Sequence, residues 1–361
     1  AQQPTRTWSL SARPAVSIGN RPDDTTSFEL VVGATRLPDG RGRVGDLGAY
    51  ALRLFSPEGK AIGSFARKGS GPGEITYLRF LLRCGDSLFT MDVQNGHRVD
   101  VRSLAGSRAR TFRFGSPQGG NVPYESACNN NRIFAHYGWE RMKTPLAGVY
   151  RPQVPFWLSG PDSAIGKLFG DLDGSERFGR VGKDPETGRP WASAGPLPFG
   201  KQPAIAIGRD RVYIGSANRY EVLVFDLEGK RLTSITKPND GVATTRADIE
   251  TAIDKAAAGR PDSVRARIAQ SYATMPLPKT LPPYARFVVD ADDLLWVQDF
   301  PRAQLRTVRW SVFDRTARAI AELALPTHLE VYEIGRDYVL GRYVDPEEAV
   351  PEVRLYRLSR R

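Results

Sequence analysis

A glycine-rich segment beside basic side chains, RKGSGPGE at residues 67–74, has the composition of a phosphate-binding loop. Such a loop needs backbone N–H groups that point inward and a helix N-terminus behind them. Pro72 removes one donor, the residues after it resemble a strand, and no GK[ST] ending is present. We therefore interpret the segment as a tight connection between strands, in which glycines allow positive φ and proline fixes the bend.

Other residues that could do chemistry are few. The histidines are His97, His136 and His328, and the first two each follow a predicted strand. A zinc site would need a third protein ligand, and none is evident beside them. No GxSxG motif marks a nucleophilic serine. We therefore expect ordinary hydrogen-bonded or exposed histidines, with no metal or other cofactor and no catalytic residue.

The two cysteines, Cys84 and Cys128, have no CxxC, haem-attachment or zinc spacing. In an oxidising compartment they can form one disulfide, which would close a loop of about 44 residues and stabilise the fold by about 4 kcal/mol on the chain-entropy model.

Composition and charge indicate a folded, exported protein. The chain has 361 residues with a net charge of +11, but 51 basic residues are scattered among 40 acidic ones without a basic run. This distribution argues against nucleic-acid binding and leaves electrostatic docking on a partner open. The sequence starts with AQQP, which is typical of a mature protein whose signal peptide has been removed. The sequence contains no stretch of 18 apolar residues, the length needed to span a membrane as a helix. We expect a periplasmic or secreted location, including peripheral attachment to a membrane.

An internal repeat organises the chain. Segments 36–65, 82–112, 206–235 and 289–323 each read as strands with alternating apolar residues, separated by turns such as Asp39-Gly40. Four short strands in about 45 residues are typical of a β-propeller blade. Residues 121–170 read as a degraded blade. The C-terminus supplies three strands of a sixth blade, and the N-terminal WSLSARPAVSIG can supply its outer strand.

One segment departs from the strand pattern. Residues 244–275 predict two helices: Thr245 is the predicted N-cap, Gly259 ends the first helix and Pro261 opens the second. The predicted fold is therefore all-β, a single six-bladed propeller over residues 1–361 with a small inserted helical hairpin. The ring is closed by the N- and C-terminal strands.

Several motifs, in order, resemble one family. These are W-x-L…SIG, the DGR hairpin, LRLFSPEGK, GSGPGE, the helical insertion, LPPY, LLWV and VLGRY. Together they look like the bacterial exported six-bladed propellers related to NHL repeats. The resemblance implies the fold and no particular activity.

Asp46, Asp92 and Asp299 recur at the ends of second strands. In lactonase-like propellers, central carboxylates and asparagines hold a calcium ion. In a plain propeller the same position caps a strand by accepting hydrogen bonds from loop N–H groups. Recurrence in several blades favours the capping role, because a single metal site needs no repetition.

Two long, charged segments, 138–153 and 171–196, are predicted to be largely structureless loops, and loops of this length are often functional. Exposed aromatic residues near arginines are typical of protein-docking hot spots. The candidate docking residues are Trp139, Arg141, Lys143, Arg151, Arg177, Arg180, Lys183, Arg189 and Trp191.

These observations favour a non-catalytic exported scaffold that docks on a protein. One specific version is an accessory subunit on the periplasmic face of a respiratory or photosynthetic electron-transfer complex. The alternatives are a lactonase-like, metal-dependent hydrolase or lyase that uses the central channel, and a binder of small ligands or glycans.

Overall fold

The computed structural model describes residues 6–360 except 20–26, 72, 116, 118–122, 124, 130, 138–145, 161–164, 239–240, 303 and 346–349. The described part consists mainly of short antiparallel strands, with two helices. Most strands belong to a repeated unit in which four consecutive strands form a meander.

The first half of the chain contains two N-terminal strands, three four-stranded sheets and two smaller sheets. Its strands are β1 (Arg6–Leu10), β2 (Val16–Ile18), β3 (Val31–Arg36), β4 (Gly42–Asp46), β5 (Ala51–Phe55), β6 (Ala61–Ser64), β7 (Arg67–Lys68), β8 (Glu74–Ile75), β9 (Leu78–Cys84), β10 (Ser87–Asp92), β11 (Arg98–Ser103), β12 (Arg108–Arg113), β13 (Glu125–Asn129), β14 (Arg132–His136), β15 (Gly148–Tyr150), β16 (Gln153–Ser159), β17 (Ile165–Asp173), β18 (Arg177–Lys183) and β19 (Pro190–Pro196). The four-stranded sheets are β3–β6, β9–β12 and β13-β14-β16-β17, and the three-stranded one is β15-β18-β19.

The second half continues the repeat. Its elements are β20 (Ala204–Ile207), β21 (Arg211–Gly215), β22 (Glu221–Asp226), β23 (Arg231–Thr236), β24 (Val242–Ala243), α1 (Arg246–Ala257), α2 (Asp262–Ala273), β25 (Thr280–Leu281), β26 (Arg286–Val289), β27 (Leu295–Gln298), β28 (Thr307–Phe313), β29 (Ala319–Pro326), β30 (Leu329–Ile334), β31 (Tyr338–Val344) and β32 (Pro351–Arg360). We number only the sheets formed by the four-stranded meanders. The first three are β3–β6, β9–β12 and β13-β14-β16-β17, and strands β20–β23 and β26–β29 form the fourth and fifth.

Both ends of the chain meet in the sixth sheet. Strands β30, β31 and β32 form a meander, and β1 adds to the free edge of β32 with Trp8 opposite Arg360. Farther along β32, β2 pairs with Val16 opposite Leu355. The start of β1 also pairs in parallel with β29 of the fifth sheet. The N-terminal residues thus occupy the edge that β32 would otherwise expose.

The first strand of each sheet contacts the first strand of the next. These contacts run from β3 to β9, β13, β20, β26, β30 and back to β3. The alternation seen in the sequence places apolar side chains between sheets, as with Val222 and Val224 of β22 and Trp310 of β28, all buried. The largest core cluster joins the second, third and fourth sheets through side chains such as Phe89 and Trp157. Each large apolar side chain that is fully buried contributes about 1.5–3 kcal/mol.

The helical hairpin forms where the sequence predicts it. Thr245 is the N-cap of α1, its hydroxyl accepts from the Asp248 backbone N–H, and the Asp248 carboxylate accepts from Thr245 in return. Asp248 is buried and also binds Arg302 at 3.0 Å. The hairpin is thereby fixed to the loop after β27.

Segment 171–196 differs from the prediction of a structureless loop. It contains the end of β17 and an antiparallel hairpin, β18–β19, in which Arg177 pairs with Pro196 and Lys183 with Pro190. The error arose because this hairpin is largely exposed on both sides and therefore lacks the alternation of apolar residues that marks a half-buried strand.

Candidate functional site

The glycine-rich segment is closed by its own glutamate. The Glu74 carboxylate accepts a 2.9 Å hydrogen bond from the Gly71 N–H and pairs with Arg67 at 2.9 Å. These two contacts hold the pKa of Glu74 below its usual value. The segment lies between β6 and β9, with β7 and β8 paired, as expected of a connection between sheets. Pro72 lies outside the described residues.

Two of the three recurring aspartates cap strands. The Asp46 carboxylate accepts from the Leu30 N–H at 3.2 Å, just before β3. The Asp92 carboxylate accepts from the backbone N–H groups of Thr76 and Tyr77, just before β9. Asp299 pairs instead with Arg309 at 2.7 Å. Among the residues that the structure describes, no three histidine, cysteine, aspartate or glutamate side chains are grouped as a metal site would require.

Two of the histidines have ordinary surroundings. His136 is fully buried, its Nδ1 lies 2.7 Å from the Tyr137 carbonyl oxygen, and its ring stacks on Phe156. Partial burial lowers the pKa of His97. These features are typical of structural histidines.

Cys84 and Cys128 form a disulfide, with their Cα atoms 5.3 Å apart. Cys84 ends β9 and Cys128 lies near the end of β13, so the bond joins the first strands of two neighbouring sheets.

The predicted docking residues separate into three groups. Trp139, Arg141 and Lys143 lie outside the described residues. Arg151 and Arg177 are largely buried and bind backbone carbonyl oxygens, those of Gly174 and Ala194 respectively. The remaining four lie on the β18–β19 hairpin: Arg180, Lys183, Arg189 and Trp191.

Trp191 lies against the opposite strand of the hairpin although it is 46% exposed. It pairs with Gly182 across the hairpin, and a Cβ on Gly182 would lie 2.8–3.0 Å from the indole ring. The indole therefore lies directly over the Gly182 backbone. Arg180 lies two residues before Gly182 on β18, so the two residues share one face of the strand. The Arg180 guanidinium lies 5.3 Å from the centre of the Phe178 ring.

The hairpin meets the inserted helices. Arg180 donates a 3.0 Å hydrogen bond to the Thr274 hydroxyl, at the C-cap of α2. No residue of α2 is fully buried, although the helix packs on α1. Strands β18 and β19 together with α2 form what we call the hairpin–helix surface.

A cavity of about 700 Å³ lies among the six first strands. Its wall contains side chains from β3, β9, β13, β20, β26 and β30. Its charged residues are four arginines and four carboxylates: Arg79, Arg83, Arg209, Arg286, Asp290, Asp293, Glu330 and Glu333.

Sequence reasoning did not single out these cavity residues. The available indication was the presence of charges inside otherwise apolar first strands, as in LRFLLRC for β9 and LEVYEI for β30.

Comparisons with known proteins show similarity of fold alone. No known protein family matches the chain, and no curated protein does. A member of the DUF4221 family from Bacteroides vulgatus is 10% identical with a TM-score of 0.51, covering 99% of each chain. An exported protein from Bacteroides fragilis is 13% identical with a TM-score of 0.49, covering 100% of this chain and 98% of its own. Virginiamycin B lyase from Staphylococcus aureus, an enzyme, is 11% identical with a TM-score of 0.43, covering 98% and 99%.

At 10% identity, the first of these similarities shows a shared fold and nothing about activity. Within the described part of the chain, neither helix has the length and apolar character needed to cross a membrane.

Proposed function

We propose that the chain is an exported six-bladed β-propeller that docks on a protein partner through the hairpin–helix surface. The six-bladed ring is supported by the contacts that return from β30 to β3, and its closure by β1 and β2 on the edge of β32. A closed ring protects sheet edges and gives its surface additions a rigid base.

The observation that carries the docking proposal is the exposed Trp191 lying over Gly182. Tryptophan and arginine are the residues that most often dominate binding energy in protein interfaces. A tryptophan side chain has only two χ angles and therefore loses little conformational entropy when a partner covers it. Arg180, held between Phe178 and Thr274, is a second anchor of the same kind.

The partner that fits this surface is a protein with an apolar pocket for the indole and acceptor groups near Arg180. Docking of this kind requires no catalytic group from the chain. The narrower expectation, an accessory subunit of a membrane electron-transfer complex, stays a prediction that the same experiment tests.

The experiment compares the wild-type chain with Trp191→Ala in affinity capture from the exported fraction and from detergent-solubilised membranes of the source cells. Leu232→Ala is the matched control, because Leu232 is 44% exposed on β23, outside the hairpin–helix surface. We expect a stoichiometric partner that the wild type and the control retain and Trp191→Ala loses. Reconstitution with the purified partner should show a Kd that Trp191→Ala raises at least about 30-fold, the effect of a 2 kcal/mol hot spot.

Equal retention of the partner by Trp191→Ala would overturn the proposed surface. Failure of the wild-type chain to retain any stoichiometric partner from either fraction would overturn the docking function itself. A partner found only in the membrane fraction, with redox cofactors of its own, would support the accessory-subunit version.

A further inference from the structure

The central cavity has the size of a ligand site. Its volume of about 700 Å³ lies within the 300–1,000 Å³ range of small-molecule sites. All six first strands contribute to the wall, and β-sheet positions hold side chains more firmly than loops do. The cavity is separate from the hairpin–helix surface, so a molecule bound in it would give the chain a role beyond docking.

The two buried carboxylates of the wall, Asp290 and Asp293, already have partners in the protein. Asp290 accepts from the backbone N–H of Leu294 and from the Trp296 indole, and pairs with Arg360 at 2.9 Å. Asp293 accepts from the backbone N–H of Arg209 and pairs with Arg315 at 3.3 Å. Neither carboxylate therefore needs a cation from a ligand.

The two other carboxylates are also neutralised. Glu330 lies between two guanidinium groups, 3.2 Å from Arg286 and 2.7 Å from Arg342. Glu333 accepts from the hydroxyls of Thr35 and Tyr338 and lies 3.8 Å from Arg83. Every carboxylate on the wall thus faces at least one arginine.

Two of the four arginines, Arg83 and Arg286, in contrast retain donors. Arg83 uses Nε for the Gly85 carbonyl oxygen and Nη1 for that of Arg36, and within the described residues its Nη2 has no hydrogen-bond acceptor. Within the described residues, the Arg286 side chain donates one hydrogen bond, from Nη1 to Glu330. Their side chains are 29% and 31% exposed, so both can reach a bound molecule.

The charges on the cavity wall balance, with four arginines against four carboxylates. Arg315, Arg342 and Arg360 also pair with these carboxylates, and Arg315 and Arg360 pair in addition with Asp210 and Asp292. Guanidinium groups form short, charge-assisted hydrogen bonds with carboxylates and phosphates.

From the spare donors of Arg83 and Arg286, we propose that the cavity binds a small organic anion, with these two arginines as its anchors. The anionic group is a carboxylate or a phosphate, since both match the geometry of a guanidinium group.

The test measures binding of succinate and of inorganic phosphate to the full chain by isothermal titration calorimetry, at an ionic strength kept constant with sodium chloride. Succinamide, the neutral analogue of succinate, is the matched ligand control. We expect at least one of the two anions to bind and succinamide not to. Arg83→Gln and Arg286→Gln should each weaken binding by about 10- to 100-fold, the loss expected for a charge-assisted hydrogen bond.

The control variant is Arg231→Gln, because Arg231 lies on the outer strand β23 and is 54% exposed, outside the cavity wall. It removes the same charge and should bind as the wild type does. Arg286→Gln guards against a folding defect in Arg83→Gln, whose arginine also binds the backbone of Arg36; circular dichroism checks the fold of each variant.

Binding of phosphate alone or succinate alone would support the proposal and identify the anionic group. Absence of binding by both anions to the folded wild type would overturn it. Equal weakening in Arg231→Gln would also overturn it, because the effect would then belong to the overall positive charge.

Discussion

The indole rings of Trp8 and Trp296 lie 5.6 Å apart, centre to centre, and join the N-terminal strand to the fifth sheet. Trp8 is buried, and the Arg360 guanidinium of the last strand lies 4.9 Å from its ring. Trp8, near the start of the chain, thus contacts both the last strand and the fifth sheet.

Removal of this side chain should therefore weaken the whole fold. We expect Trp8→Ala to lower the free energy of unfolding by about 3–5 kcal/mol, the usual cost of deleting a buried tryptophan. Trp191→Ala, at an exposed tryptophan, should change it by about 0.5 kcal/mol or less. Urea denaturation followed by circular dichroism measures both, and equal stability of the two variants would contradict closure through β1.

The disulfide offers a second test of how the sheets are joined. Replacing Cys84 and Cys128 with serine should lower the free energy of unfolding by about 4 kcal/mol, because the reduced unfolded chain gains the freedom of a loop with a sequence separation of 44. Dithiothreitol should destabilise the wild type by a similar amount and leave the double variant unchanged. A wild type that is insensitive to the reductant would show that the bond does not form.

The glycine-rich segment predicts a strong difference between two glycines. Gly69 has φ of 152°, and a Cβ there would lie 2.1 Å from a carboxylate oxygen of Glu74, whereas a Cβ on Gly63 would meet nothing within 4 Å. We expect Gly69→Ala to cost about 1–3 kcal/mol of stability. Gly63→Ala, within strand β6, should be neutral or stabilising by about 0.5 kcal/mol. Thermal denaturation of both variants measures the difference, and equal melting temperatures would show that the segment does not close on Glu74.

Much of the fold could be predicted from local sequence. Alternating residues such as Val222 and Val224 mark half-buried strands, and Thr245 with Asp248 marks a helix start, because these patterns depend on neighbours only a few residues away. The exposed hairpin at Trp191 could not be predicted in the same way. Its strands bury little on either face, so no alternation records them.

The cavity could be recognised only from the three-dimensional structure. Arg83 and Glu333 lie 3.8 Å apart although 250 positions separate them in the sequence, because β3 contacts both β9 and β30. Each residue alone reads as a charged interruption of an apolar strand. Only their positions in the structure show that Arg83 and Glu333 line the same cavity.

Glu333 makes stability depend on pH in an unusual direction. Burial raises its pKa despite the hydrogen bonds from Thr35 and Tyr338 and the charge of Arg83. The folded state therefore holds the proton more tightly than the unfolded chain, whose glutamates have a pKa of about 4.3. Its contribution to the free energy of unfolding should be fully present below about pH 4.3 and should decrease as pH rises through the folded pKa.

Glu333→Gln should remove this dependence. The stability of the variant relative to the wild type should increase as pH rises above about 4.3, by about 1.4 kcal/mol for each pH unit by which the folded and unfolded pKa values differ.

Asp248→Asn is the control of opposite sign. Burial raises the pKa of Asp248, but hydrogen bonds from Arg302, Thr245 and Gln304 outweigh this effect and lower it. Asp248 therefore stabilises the fold above about pH 3.9 and loses that effect as pH falls. Urea denaturation at a series of pH values from about 3 to 8 measures both variants. A stability difference between Glu333→Gln and wild type that stays constant with pH would show that Glu333 ionises in the cavity as freely as in the unfolded chain.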